Sequence, residues 1–314
     1  MKTVYLHIGT FKTGTTALQK ILFANRQKLL ENGYFYPDIG IPNKYNPGQI
    51  ALSWSFTHDK DFYVLPYKTF DLRDIRERAL ADIEAHDADN IIISSEYFSL
   101  FSTEQVAQVK QMFDGFKVVI ILYLRRQDKF FLSLYSEQVK KGYAKDIKDF
   151  CEEFEERGNY YKILKSWSTV FGDENLVIKI YPESRPRDWL ISDFLQTLNI
   201  SLEPSQLTHG KKAFNVSLSG KSLKIMRFLN RWLLERFSLP KAWCLWLYLH
   251  PLQRQRPKTV VSWIPEWLLS NEILAPDDKD ALLRQYKPLN RKVSEEYLDQ
   301  ESHPFIWSQV EKQN

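Results

Sequence analysis

Cysteine is scarce here: Cys151 and Cys244 are the only two in 314 residues, too few for a disulfide framework, and a reducing compartment is the simpler expectation. No stretch supplies the roughly 18 apolar residues a membrane span needs. Neither the charged n-region nor the apolar h-region of a signal peptide precedes the first strand. The expectation is a cytoplasmic protein, peripheral at the inner membrane surface at most. Charge of one sign is also in short supply: the net charge of +4 is too mild to make nucleic acid the main partner. No Asp/Glu/His cluster has metal-ligand spacing, so no metal is expected. No internal repeat or low-complexity segment stands out. What remains is an ordinary globular composition, 44% apolar and 26% charged, with ample length for a core.

Hydrophobic patterning gives the organisation. Thr3–Gly9 reads as a buried strand, followed by a helix from Thr15 whose apolar face is Leu18, Ile21, Leu22 and Leu29 and which Gly33 ends. "YFYP" marks a short second strand. Residues 38–70, rich in Pro, Asn, Gly and aromatics, read as an irregular segment of the kind that carries substrate contacts. "DLRDIRERALADIEAHD" is an exposed helix, "NIIISS" a strand, "TEQVAQVKQMF" a helix opened by Thr103. "KVVIILYL" is an unbroken apolar run suited to a parallel strand covered on both faces. A helix over "KFFLSLYSEQVKKG", a helical stretch from about 146 to 171, a strand "NLVIKIYP" and a helix "WLISDFLQTLNI" follow. Alternation of strands with helices predicts an α/β fold, a P-loop-like parallel sheet flanked by helices. Beyond about 210 only helical patterns appear. The division expected is one domain, with a nucleotide-binding core over 1–205 and a helical lid or acceptor portion over 206–314.

Between the first strand and helix lies "GTFKTGTT". Gly9 and Gly14 have the spacing of a Walker A loop, but Thr15 stands where its lysine belongs, and Lys12 precedes the second glycine. A glycine turn that opens a helix aims backbone N–H groups and the positive end of the helix dipole at one spot, which suits an anion. Thr13, Thr15 and Thr16 add hydroxyls and Lys12 a full charge. The bland alternative is a Gly/Thr turn with a solvated lysine.

These residues resemble the 5′-phosphosulfate loop of the sulfotransferases that use 3′-phosphoadenosine-5′-phosphosulfate (PAPS). That family's usual form is P-K-x-G-T-[TS], and Phe11 replaces the proline. A second stretch, "ILYLRRQDKFFLSLY", is similar to the family's 3′-phosphate motif: Arg125 ends a strand and Ser133 follows eight positions on. A guanidinium fork and a hydroxyl suit a phosphate monoester because both donate to its oxygens. The form of this stretch looks closer to bacterial and glycan-type members than to the small-molecule cytosolic enzymes. The resemblance covers residues 3 to about 140. It implies PAPS as donor, PAP as product, and a hydroxyl acceptor, most simply a carbohydrate. Lys12 would stabilise the bridging oxygen, with Thr13, Gly14, Thr15 and Thr16 on the 5′-phosphosulfate and Arg125 and Ser133 on the 3′-phosphate.

Transfer to a hydroxyl needs a base. Glu96, just past the strand "NIIISS", is the choice; His58 in the irregular segment is the runner-up and a candidate substrate contact. Ser94 and Ser95 are candidate donor contacts, and His7, inside the first strand, reads as a core or supporting residue. Downstream, "HGKKAFNVSLSG" is similar to a lid of bacterial-type members, making Lys211, Lys212, Asn215 and Ser217 candidates. Residues 221–258 mix nine basic side chains and one acid with Trp and Leu, as in a helix lying on an anionic interface. Two rivals remain open: a P-loop kinase, against which the missing G-K-[ST] and strand-end aspartate count, and a non-catalytic membrane-surface protein that kept the fold.

Overall fold

Five parallel strands form one sheet in the order β2-β3-β1-β4-β5. They are β1 (Thr3–His7), β2 (Tyr34–Phe35), β3 (Asn90–Ser94), β4 (Lys117–Leu124) and β5 (Leu176–Ile180). The computed structural model describes residues 1–42, 47–57, 72–186, 188–208, 219–237 and 272–298. Helices α1 (Thr15–Ala24), α2 (Arg26–Glu31), α3 (Ile50–Trp54), α4 (Leu72–Ala85), α5 (Thr103–Met112), α6 (Gln127–Lys140), α7 (Ile147–Glu153), α8 (Tyr160–Phe171) and α9 (Trp189–Thr197) alternate with the strands along the chain; α10 (Gly220–Phe237) and α11 (Pro276–Tyr297) form a helical C-terminal portion. The fold is the α/β parallel sheet the alternating pattern predicts.

The chain forms two compact units, one of Met1–Arg125, Tyr160–Lys212 and Lys292–Ser302, the other of Arg126–Asn159, Ala213–Arg291 and His303–Asn314. The first holds the sheet. Alternation along the strands sends Val4, Leu6, Ile91, Ile93, Ile120 and Leu122 to one face, against Val106 and Val109 of α5 and Leu164 and Trp167 of α8. Ile92, Ile121 and Tyr123 go to the other, against Leu18 and Leu22 of α1 and Phe194 of α9. Both faces are covered, which is why β4 could be apolar almost throughout.

The second unit is tied by buried amides. Gln127 and Asn290 exchange hydrogen bonds at 2.8 and 3.0 Å, and Asn230 on α10 donates to the carbonyl of Val139 at 2.7 Å. Arg126 grips Asp128 through two bonds of 2.7 and 2.8 Å, both side chains buried. That fork stabilises the first turn of α6 through charge pairing next to the helix's positive end.

Three boundaries differ from the sequence pattern. The first long helix is two: Asn25 breaks it, its Nδ2 donating to Ile21 and Thr208 carbonyls and its Oδ1 accepting from the Thr208 N–H at 2.8 Å. A tertiary partner thus outweighs continued helix. The cap of α5 is Ser102 rather than Thr103, in a capping box with Gln105. The 146–171 stretch separates into α7, a short 3-10 turn at Glu155–Gly158, and α8. Within the irregular segment, α3 is regular and buried.

Candidate active site

In open parallel sheets ligands sit outside the carboxyl ends of strands, where neighbouring connections depart in opposite directions. Here that point is at β1 and β4: the chain leaves β1 towards β2 on one side and leaves β4 towards β5 on the other. The glycine loop follows β1, Arg125 follows β4, and Glu96 follows β3, the other neighbour of β1. Three adjacent strand ends therefore carry the loop and two of the candidate side chains.

The loop is built for tightness. Gly9 (φ 38°) and Gly14 (φ 84°) are left-handed, and so is Lys12 at φ 69°, which has no glycine's freedom. A Cβ on Gly9 would stand 2.8 Å from Thr15 Oγ1, and one on Gly14 would stand 2.7 Å from Leu190 Cδ2. Thr10 donates to the Tyr123 carbonyl and Thr13 to the Thr10 carbonyl, each at 2.7 Å, pinning the loop to β4 and to itself. Phe11, where the resembling family has proline, packs edge-on to Tyr97 at 5.6 Å, and Tyr97 likewise to Trp54 at 5.3 Å. Aromatic packing does here what a fixed φ would do there.

Arg125 turns towards the loop: its Nη1 donates to the carbonyl of Lys12 at 2.7 Å. Its guanidinium lies 5.6 Å from the Tyr181 ring, which Arg185 covers at 4.0 Å. The Tyr160 hydroxyl donates to the Arg125 carbonyl at 2.5 Å. The Arg125 guanidinium is thus tied to the loop backbone at Lys12, just before the start of α1. At the start of α1, against Gly9, Thr15 Oγ1 is buried with no hydrogen-bond partner. A buried orphan hydroxyl is costly unless something supplies its partner, so the residues present fit a phosphate-like anion.

Glu96 is half-buried and opens a 3-10 turn at Glu96–Leu100, with Ser95 as its cap. Gln19, on the buried stripe of α1, donates to Glu96 Oε2, to the Ser94 carbonyl and to Ser94 Oγ, each at 3.2 Å. Ser94 Oγ also lies 2.8 Å from His7 Nδ1. Which of the two donates in that bond is set by which ring nitrogen carries the proton. His7 is buried against Tyr123 and Phe194, and burial pushes its pKa down to about 3. Its Nε2, like Thr15 Oγ1, has no partner, and both lie against Gly9. Ser95 is buried and shares a hydrogen bond of 2.9 Å with Ser53.

Of the other sequence candidates, Thr16 is half-buried in the first turn of α1. Ser133 is half-buried on α6, in the second unit. His58, Lys211, Lys212, Asn215 and Ser217 lie outside the described residues, as does 238–258 of the basic stretch. Sequence reasoning passed over Gln19. The available signal was a polar side chain on the apolar stripe set by Leu18 and Leu22. Among the described residues no helix is long and apolar enough to cross a membrane, and no group of three His, Cys, Asp or Glu side chains is placed to hold a metal.

No protein-family model matches the chain. An uncharacterized protein of Archaeoglobus fulgidus is 26% identical over 222 residues, which is 70% of this chain and 57% of that protein; the chain thus spans little more than half of this relative's length. The crystal structure of a sulfotransferase from Alicyclobacillus acidocaldarius is similar at a TM-score of 0.43 and 14% identity, over 77% of this chain and 99% of that one.

Proposed function

We propose that the protein is a sulfotransferase that moves the sulfuryl group of PAPS to a hydroxyl of a carbohydrate acceptor. The observation that carries the reading is the loop after β1: a left-handed lysine between two glycines, its carbonyl held by Arg125, around an orphan buried threonine hydroxyl. The sequence motifs that resemble the donor site supply the identity of the anion.

In the proposed reaction the acceptor oxygen attacks sulfur in line. A new S–O bond forms, the bond from sulfur to the bridging oxygen breaks, and its electron pair leaves on the 5′-phosphate of PAP. Glu96 takes the acceptor proton. Lys12, Thr15, Thr16 and the loop amides stabilise the charge that grows on the leaving phosphate, with Thr13 and Gly14 shaping the turn. Arg125 is the candidate for the 3′-phosphate, and Ser133, Lys211 and Lys212 are assigned to the nucleotide by the sequence motifs alone. In this reading residues 1–205 are the nucleotide-binding core and 206–314 the acceptor portion, with His58 a further acceptor contact.

The test is PAP-induced thermal stabilisation followed by ³⁵S transfer from labelled PAPS to a panel of polysaccharides. Lys12→Ala and Arg125→Ala should each abolish the stabilisation; its persistence in both, or a larger shift with Mg·ATP than with PAP, would overturn the reading in favour of a kinase.

A second reading, attachment to an anionic membrane surface, draws support from α10. Phe228, Leu229 and Trp232 are 66%, 48% and 47% exposed there, on a helix that also carries Lys224, Arg227 and Arg231. Co-flotation with phosphatidylserine vesicles that salt leaves unaffected, or that fails altogether, would remove it.

A further inference from the structure

Gln19 sits where no solvent-facing role is open to it. It is 2% exposed, and Gly48 presses on it so closely that a Cβ there would meet Gln19 Nε2 at 2.4 Å. Two of its acceptors, the Ser94 carbonyl and the Glu96 carboxylate, can only accept, so the amide has one permitted orientation with its NH₂ towards β3. The third, Ser94 Oγ, extends the contact to His7. The same helix begins at the glycine loop, four residues upstream of Gln19. A bond to a carboxylate from a rigid, buried donor restricts that carboxylate far more than a solvent contact would.

We propose that Gln19 is a positioning residue that fixes the Glu96 carboxylate relative to α1, so that the helix opening at the donor loop also sets where the acceptor's proton is taken. The inference rests on the proposed function, and it assigns Gln19 no contact with donor or acceptor. A carboxylate aimed from the element that holds the donor keeps base and sulfur in register. Misplacing a reacting group by about 1 Å can cost ~100-fold.

The experiment is a double-mutant cycle of Gln19→Leu and Glu96→Ala on ³⁵S transfer, with PAP stabilisation measured for each protein. Gln19→Leu should lower kcat roughly 10- to 100-fold and leave KM for PAPS and the PAP shift within about twofold. In the Glu96→Ala background the same substitution should change the residual rate by less than about twofold, because the group it acts through is gone. A purely structural role would lower both backgrounds alike. Gln19→Met keeps the volume without the donor and serves if the leucine variant does not fold. Wild-type transfer that survives Gln19→Leu, or equal losses in both backgrounds, overturns the inference alone. A wild-type protein that neither binds PAP nor transfers label overturns the proposed function and this inference with it.

Discussion

Lys12 can be tested by two substitutions that remove the same charge and treat the backbone differently. At φ 69° a residue with a Cβ is held in the left-handed region, at a cost of about 1–2 kcal/mol relative to glycine. Lys12→Ala deletes the ammonium and keeps that strain; Lys12→Gly deletes both. Neither should respond to PAP, whereas wild type at a hundredfold excess over Kd gains about 2.7 kcal/mol. In the absence of ligand, however, the glycine variant should be more stable than the alanine variant by about 1 kcal/mol. Unfolding entropy scales with length at about 2.1 cal/mol/K per residue, so for a chain of this size the gap is about 1–2 °C in Tm. Differential scanning calorimetry of the three proteins, with and without PAP, reads both quantities. If the glycine variant melts no higher than the alanine variant, the left-handed lysine is not strained, and the picture of a loop held in a costly shape for its ligand is refuted. If PAP still raises the Tm of both, the ammonium is not part of the anion site.

Gly14→Ala should destabilise by about 1–3 kcal/mol, from a Cβ in the left-handed region and its 2.7 Å approach to Leu190; chemical denaturation measures it. His7, with its folded pKa pushed down to about 3 from 6.5, contributes stability that is full above pH 6.5 and drains away as pH falls towards 3, because the unfolded ring takes up a proton there first. Its ¹⁵N resonances should accordingly stay those of a neutral ring from pH 8 down to about 4; titration near 6.5 would show that the site is wet. Gln127→Leu should cost the second unit roughly 2 kcal/mol, because Asn290 loses both bonds of a buried reciprocal pair; loss of protection at Asn290 by hydrogen exchange would localise the effect.

Much of this was legible in the residues because local chemistry dictated it. β4 could be read from a seven-residue apolar run, since only a strand covered on both faces uses such a run in an α/β chain. The glycine loop could be read because its turn demands particular residue types at fixed spacing. Helix breaks were not legible: Asn25 ends α1 because Thr208 meets it, and nothing near Asn25 in sequence announces Thr208.

The order of residues determined the strand-helix alternation, the glycine loop after β1 and the placing of Arg125 and Glu96 just past two strands, because each follows from a pattern within a short window. Tertiary structure alone decided that Arg125 bonds the Lys12 carbonyl across 113 positions and that Gln19 reaches Glu96 across 77. Such pairings depend on which strands lie side by side, and strand order is a property of the folded sheet rather than of any segment.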